Sequence, residues 1–233
     1  MHNTLPSLVV IIPTLNEESV LASTLCSLLK QSQPADRLIV VDGGSRDRTI
    51  EVAHGFGPEV MISKVIGRGN QIAVGVAAST ECIVVVSHAD MIFLPESLER
   101  IRTTMAAKPS CPGGALGHRY ASSSWGLRVV EWFDARRARL GHSYGDQAQF
   151  FRRASLNRVG GFPAQPILED LELAARLRKL GCQVYLNYPV TVSPRRFERL
   201  GLIQSLWQNW QIRRAYRRGG RDVVQSLFNR YYS

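Results

Sequence analysis

Apolar residues run unbroken from Leu8 to Ile12, stop at Pro13, and then recur at helical spacing as Leu21, Leu25, Leu28 and Leu29. An unbroken run suits a strand covered on both faces, and the recurrence that follows suits a helix laid on one of them. The pattern repeats with a strand from Leu38 to Val41 and a short helix from Asp47 to His54. It repeats again with Val60 to Ile62, followed by a helix opened by Gly67-Arg68-Gly69-Asn70 with Ile72, Ala73, Val76 and Ala77 on one face. A fourth run, Ile83 to Val86, is wholly β-branched and ends abruptly at Ser87-His88-Ala89-Asp90. This alternation predicts a doubly wound, mainly parallel α/β sheet with helices on both faces. In open sheets of that kind ligands sit beyond the carboxyl ends of the strands, where Asp90 stands.

Past Asp90 the alternation ends. The spacing predicts a helix from Pro95 to Ala107, a Gly-rich segment from Gly113 to Tyr120, and a helix from Ser124 to Leu140. Trp125, Val129, Trp132 and Phe133 fall on one side of that helix, where aromatics at helical spacing more often pack into a core than line a groove. Gly145-Asp146-Gln147 opens a strand reaching Phe151, Gly160 to Pro163 is a turn, and Glu169-Asp170 opens a helix through Leu180 that stops at Gly181. Gln183 to Val192 reads as the last strand. From Ser193 the chain is helical, with Leu200, Ile203, Leu206, Trp207 and Trp210 on one face and Arg213, Arg214, Arg217 and Arg218 beyond them. The expected organisation is one catalytic domain over residues 1–192 and a basic amphipathic extension over 193–233, packed on or beside it.

Charge narrows the partners. Lys and Arg number 29 against 19 Asp and Glu, a net charge of +10, which favours anionic partners: phosphate-bearing small molecules, an anionic membrane surface or nucleic acid. No nucleic-acid reading motif accompanies the charge, so nucleic acid is not expected. The tail suits docking on the catalytic domain or on a second subunit more than a membrane surface, and the oligomeric state stays open. Cys26, Cys82, Cys111 and Cys182 lack paired spacing and read as reduced core thiols of a cytoplasmic protein. The early apolar run is too short for a signal peptide, and no run approaches a membrane span, so any membrane contact is expected to be peripheral, on the inner face.

Three acidic turns each follow an apolar strand, so a parallel sheet gathers Asn16-Glu17-Glu18, Asp42-Gly43-Gly44 and His88-Ala89-Asp90 along one edge. A carboxylate such as Asp42 accepts hydrogen bonds from a base or ribose, and the glycines let backbone approach a ligand. Taken singly, Asp42 also reads as a turn former and Asp90 as a helix cap. The first strand leads into Pro13-Thr14-Leu15-Asn16 and not into a Gly-rich phosphate loop, which counts against a nicotinamide or flavin enzyme.

The segments Val10 to Glu18 and Val40 to Thr49 resemble the opening of family 2 glycosyltransferases, which have the GT-A fold. Gly67-Arg68, His88-Ala89-Asp90, Gly145-Asp146-Gln147, Gly160-Gly161-Phe162-Pro163 and Glu169-Asp170 are similar, in order, to the small bacterial branch termed radical-SAM/selenodomain-associated transferase 2. The resemblance implies a metal-dependent, inverting transferase that moves a sugar from a nucleotide-diphosphate sugar to an acceptor hydroxyl not legible here. It places the Mg2+ or Mn2+ ligand at Asp90, with His88 standing where the family has a first Asp. It also implies a base or ribose contact at Asp42, a diphosphate contact at Arg68, and the catalytic base in the pair Glu169-Asp170, at Asp170. Pro13, Thr14, Asn16, Glu17, Gly43, Gly44, Ala89, Gly145, Asp146 and Gln147 complete the implied donor site. Arg195 and Arg196 would assist the leaving diphosphate, although Ser193-Pro194-Arg195-Arg196-Phe197 matches the family's basic-aromatic element only loosely. The alternatives are a nucleotidyltransferase and a non-catalytic nucleotide-sugar or membrane-surface binding protein.

Overall fold

The computed structural model describes residues 5–232, so positions 1–4 and 233 of the two expected segments lie outside the described residues. Strand β1 (Leu8–Thr14) is buried along its whole length, and β4 (Ile83–Val86) likewise. They are the centre of the sheet because neither carries a polar side chain that needs water until its last residues. Around them lie β2 (Arg37–Asp42), β3 (Glu59–Ile62), β5 (Met91–Ile92), β6 (Gly113–Tyr120), β7 (Gln149–Arg152) and β8 (Val184–Val192). The order is β3-β2-β1-β4-β7-β6-β8-β5.

The first four strands are parallel, in register so that Thr14 faces Asp42 and Ile11 faces Val86. That register sets the three acidic turns at one edge. β7 runs antiparallel to β4 and β6 antiparallel to β7, while β8 is parallel to β6 and antiparallel to β5. The regular winding therefore holds for the first half only, as the loss of alternation after Asp90 indicated.

Helices α1 (Leu21–Leu29), α2 (Thr49–Phe56), α3 (Arg68–Ala78) and α4 (Ser97–Ala107) cover the parallel half. They are followed by α5 (Trp125–Arg139), α6 (Arg153–Arg158), α7 (Glu169–Arg178), α8 (Arg195–Leu200), α9 (Leu202–Gly219) and α10 (Val224–Tyr232). One core lies between the sheet and α1 and α4, the other between the sheet and α3 and α7. The tail is three helices, and Ile167 packs with Val224 and Leu227 in a third, smaller cluster.

Four expectations are corrected. The Gly-rich segment 113–120 is a full strand. A Cβ on Gly114 would lie 2.1 Å from the carbonyl oxygen of Val184, so the glycine is there because a neighbouring backbone passes too close for a side chain. Gly145–Gln147 is a single 3-10 turn, and the strand begins at Gln149, after Ala148 with φ of 41°. The aromatic side of α5 is not core: Trp125 is 81% exposed, and Trp132 and Phe133 are also exposed. The cysteines are free, as expected, but only Cys111 is buried; Cys26 is half-buried, and Cys82 and Cys182 are exposed because they stand in the turns just before their strands.

Candidate active site

The turns beyond β1, β4 and β8 enclose a cavity of 470 Å3 together with α7 and α9. Four arginines line it, Arg68, Arg195, Arg196 and Arg213, and four carboxylates, Glu17, Asp90, Asp146 and Asp170. The cavity wall therefore carries charge of both signs in equal number.

Arg68, in the first turn of α3, is the hub. Its Nε donates to Glu169 Oε1 at 2.5 Å, its Nη1 donates to His88 Nε2 at 2.8 Å, and its Nη2 lies 3.3 Å from Asp170 Oδ2. Because a guanidinium only donates, His88 Nε2 accepts, and its proton sits on the other ring nitrogen. Burial, reinforced by Arg68 and opposed by Asp146, pushes His88 down to about 3, so the ring is neutral. Its Nε2 lone pair is thereby committed to Arg68, which is the role the sequence left undecided.

Glu169 and Asp170 part ways at the start of α7. Glu169 is 1% exposed, lies behind the cavity wall, and burial pushes its carboxyl up to about 7 against the pull of Arg68, with Asp170 adding to the rise. Asp170 lines the cavity, its Oδ2 accepting from the Gly145 amide at 2.6 Å and its Oδ1 from the Leu171 amide at 2.8 Å. The preceding Leu168, also on the cavity wall, sits at φ of 62°, a left-handed conformation uncommon for a residue without a short polar side chain. Gly145 is held where a Cβ would lie 2.8 Å from both Arg68 Nη1 and His88 Nε2.

At the other end, Arg195 grips Glu17 with two bonds of 2.6 Å and reaches Asp90 Oδ2 with its Nε at 3.5 Å. Burial raises Asp90, Arg195 opposes the rise, and Glu17 adds to it. Two carboxylates converging on one guanidinium make this corner a place for positive charge. Such a donor set fits a divalent cation that takes Asp90 and fills its remaining positions from phosphate and water.

Several expected residues lie outside the cavity. Asp42 is fully buried, and its carboxylate is met by the Thr14 and Ser45 hydroxyls and by the Gly44 and Ser45 amides, all within 3.0 Å. Thr14, Asn16, Gly43, Gly44, Gln147 and Glu169 do not line the cavity either. Asn16 accepts from the Arg46 amide and donates its own amide to Ser45, stitching the first two acidic turns together. Pro13, Glu17, Arg68, His88, Ala89, Asp90, Gly145, Asp146, Asp170, Arg195 and Arg196 lie together on the cavity wall.

Other wall residues carry no sequence signal, Tyr120, Tyr144, Ile167, Leu168, and Asn209 and Ile212 from α9, while Arg213 comes from the basic cluster of the tail. Beneath the wall, His118 and Asp134 approach Asp146. Tyr120 donates its hydroxyl to Asp146 Oδ2 at 3.2 Å. Burial works to raise Asp146, but His118, Arg137 and the bond from Tyr120 outweigh it and hold it below the usual range, while burial and Asp146 itself raise Asp134.

A mainly parallel βα sheet whose strand ends gather carboxylates and arginines around one cavity is the GT-A type. The chain belongs to the glycosyl transferase family 2, whose sequence pattern matches residues 9–155. It is 24% identical to the probable glycosyltransferase YdaM of Bacillus subtilis over 98% of this chain and 58% of that one. It is 28% identical to a PGL/p-HBAD biosynthesis glycosyltransferase of Mycobacterium bovis, over 67% of this chain and 63% of the relative. The chain thus spans about three fifths of the length of these curated relatives. Among solved structures, the mannosyltransferase PcManGT from Pyrobaculum calidifontis, in complex with GDP-Man and Mn2+, superposes with a TM-score of 0.65 at 21% identity, over 91% of this chain and 62% of that one.

Proposed function

We propose that this chain is the catalytic part of an inverting, metal-assisted glycosyltransferase that takes its sugar from a nucleotide-diphosphate sugar. The observation that carries the reading is the placement of Asp90, Arg68 and Asp170 around one cavity. Asp90 would hold Mg2+ or Mn2+, which supplies electrophilic neutralisation of the diphosphate when bound. Arg68, Arg195 and Arg196 add positive charge where the departing diphosphate develops negative charge. Asp170 takes the proton of the acceptor hydroxyl as its oxygen attacks the anomeric carbon, on the side opposite the leaving group. One displacement inverts the anomeric centre. Asp42, sealed among backbone amides and hydroxyls, supports the base-binding turn from within, and its contact to the base or ribose would require those bonds to exchange.

A thermal-shift titration tests the reading. At a hundred times its dissociation constant a nucleotide diphosphate with Mn2+ adds about 2.7 kcal/mol to stability. For a chain of this size that is roughly 5 to 10 °C in Tm. Asp90→Ala is expected to weaken binding at least tenfold while leaving the ligand-free Tm close to wild type. No shift from any nucleotide diphosphate or nucleotide sugar would sink the proposal.

A second reading concerns where the enzyme works. Trp132 and Phe133 on α5 and Ile203, Trp207 and Trp210 on α9 are exposed, and Leu202 at the start of α9 packs against Gly126 at the start of α5. Arg136 lies over Trp132 and Arg214 over Trp210, and Trp207 stacks on Trp210 at 4.9 Å. Amphipathic rings bordered by arginines support docking on an anionic membrane surface. Among the described residues no helix is long and apolar enough to cross a membrane. Cosedimentation is expected with phosphatidylglycerol vesicles and not with phosphatidylcholine vesicles. Trp207→Ser with Trp210→Ser should reduce it about tenfold; undiminished binding by that variant would remove these helices from the reading.

A further inference from the structure

We propose that His118, Asp134 and Asp146 form a binding site for one divalent transition-metal ion, separate from the cation position at Asp90. Three elements deliver the ligands: β6, α5 and the turn at Gly145–Gln147. One donor atom from each lies within 4.8 Å of the others. β6 carries a register shift against β8 between Leu116 and His118, and irregularities of this kind re-aim a strand side chain.

Acidic groups alone would not make a site, and two orphaned atoms do. The His118 side chain is 1% exposed, yet its Nε2 has no hydrogen-bond partner among the described residues, standing 3.7 Å from Asp134 Oδ2 and 3.9 Å from Asp146 Oδ2. Asp146 Oδ1 is buried and has no hydrogen-bond partner among the described residues either. Those separations are too long for hydrogen bonds. Bonds of about 2.1 Å to one shared ion set donor atoms roughly 3.4 to 3.6 Å apart, so the two histidine–carboxylate separations need close by only a few tenths of an ångström.

The surrounding groups do what partners of metal ligands do. Arg137 Nη2 donates to Asp134 Oδ1 at 2.7 Å and leaves Asp134 Oδ2 facing His118, and the Tyr120 hydroxyl donates to Asp146 Oδ2, the oxygen 3.9 Å from His118 Nε2, so each carboxylate is oriented by a neighbour. One imidazole nitrogen with two carboxylate oxygens suits Zn2+ or Mn2+ better than Ca2+ or Mg2+. An ion there would pin the turn that carries Gly145, and the Gly145 amide donates to Asp170. The site would therefore position the cavity wall and does not depend on the transferase reading.

The test is to strip the full chain with a chelator, desalt it, and titrate Zn2+ alone by calorimetry, with Zn-edge X-ray absorption on the loaded protein. Wild type should take up one equivalent with an imidazole in the coordination shell. Asp90→Ala should bind Zn2+ as wild type does, whereas His118→Gln and Asp134→Asn should each bind at least a hundredfold more weakly while keeping the wild-type far-UV spectrum. No uptake by wild type, an all-oxygen shell, equal uptake by His118→Gln, or loss of uptake in Asp90→Ala would each overturn the proposal. Should the two site variants fail to fold, the wild-type absorption edge and the Asp90→Ala titration decide it.

Discussion

Asp170→Asn is expected to leave nucleotide-diphosphate binding within twofold of wild type and to lower the transfer rate by a factor of roughly 10^2 to 10^4, the range for losing a positioned general base. The geometry separates the two effects. Asp170 lines the cavity from α7, tied to Arg68 and Gly145, while Asp90 is paired with Arg195. An asparagine keeps the size of the side chain and can still accept from the Gly145 amide, but its amide cannot take a proton from an acceptor hydroxyl. Single-turnover transfer with a radiolabelled donor, beside calorimetry with the nucleotide diphosphate, reads both quantities on one preparation. Full turnover in Asp170→Asn would remove it as the base. Glu169 cannot stand in for it, since that carboxylate lies behind the wall, bonded to Arg68.

The second large effect is in stability against pH. Glu169 titrates at about 7 in the folded chain against an ordinary 4.5. Between those values the folded state binds the extra proton, so stability falls as pH rises through that window. At about 1.4 kcal/mol per pH unit this amounts to about 3 kcal/mol. His88 acts in the opposite sense. Its ring is held neutral down to about 3 against an ordinary 6.5, so the unfolded chain binds the extra proton there and stability rises with pH. From 4.5 to 6.5 the two slopes oppose, and the wild-type curve alone is nearly silent about either. The difference between wild type and Glu169→Gln isolates the first. Measured by urea unfolding, wild type minus variant should fall by about 3 kcal/mol from pH 4.5 to pH 7; a flat or rising difference would show that Glu169 is not held protonated by its surroundings.

Much of this was legible because the parallel half of the sheet writes itself into the chain. A strand buried on both faces has to be apolar without interruption, so Leu8–Ile12 and Ile83–Val86 announce both their structure and the edge at which Glu17 and Asp90 emerge. Arg68 and Asp170 were found through resemblance, and what the sequence could not supply is that one guanidinium joins Glu169, His88 and Asp170. The antiparallel half hid itself: Gly113 and Gly114 gave no strand signal because the cause of their presence is backbone from β7 and β8, far away in sequence. His118 and Asp134 stood in no motif, since their proximity to Asp146 arises from three separate elements. The aromatic side of α5 misled because helical spacing shows that residues share a side, without showing what lies against it.

Gly145 has a consequence of another kind. The position is defined by an omission: a Cβ there would lie 2.8 Å from both atoms of the Arg68–His88 bond, so a single added carbon would press on that bonded pair. A survey of natural variation that scores residues by their chemistry would pass over it, because it donates no side chain to anything. Yet what can stand there records how closely the arginine and the histidine must approach. The residue with least to offer is the one from which the spacing of its neighbours can be read.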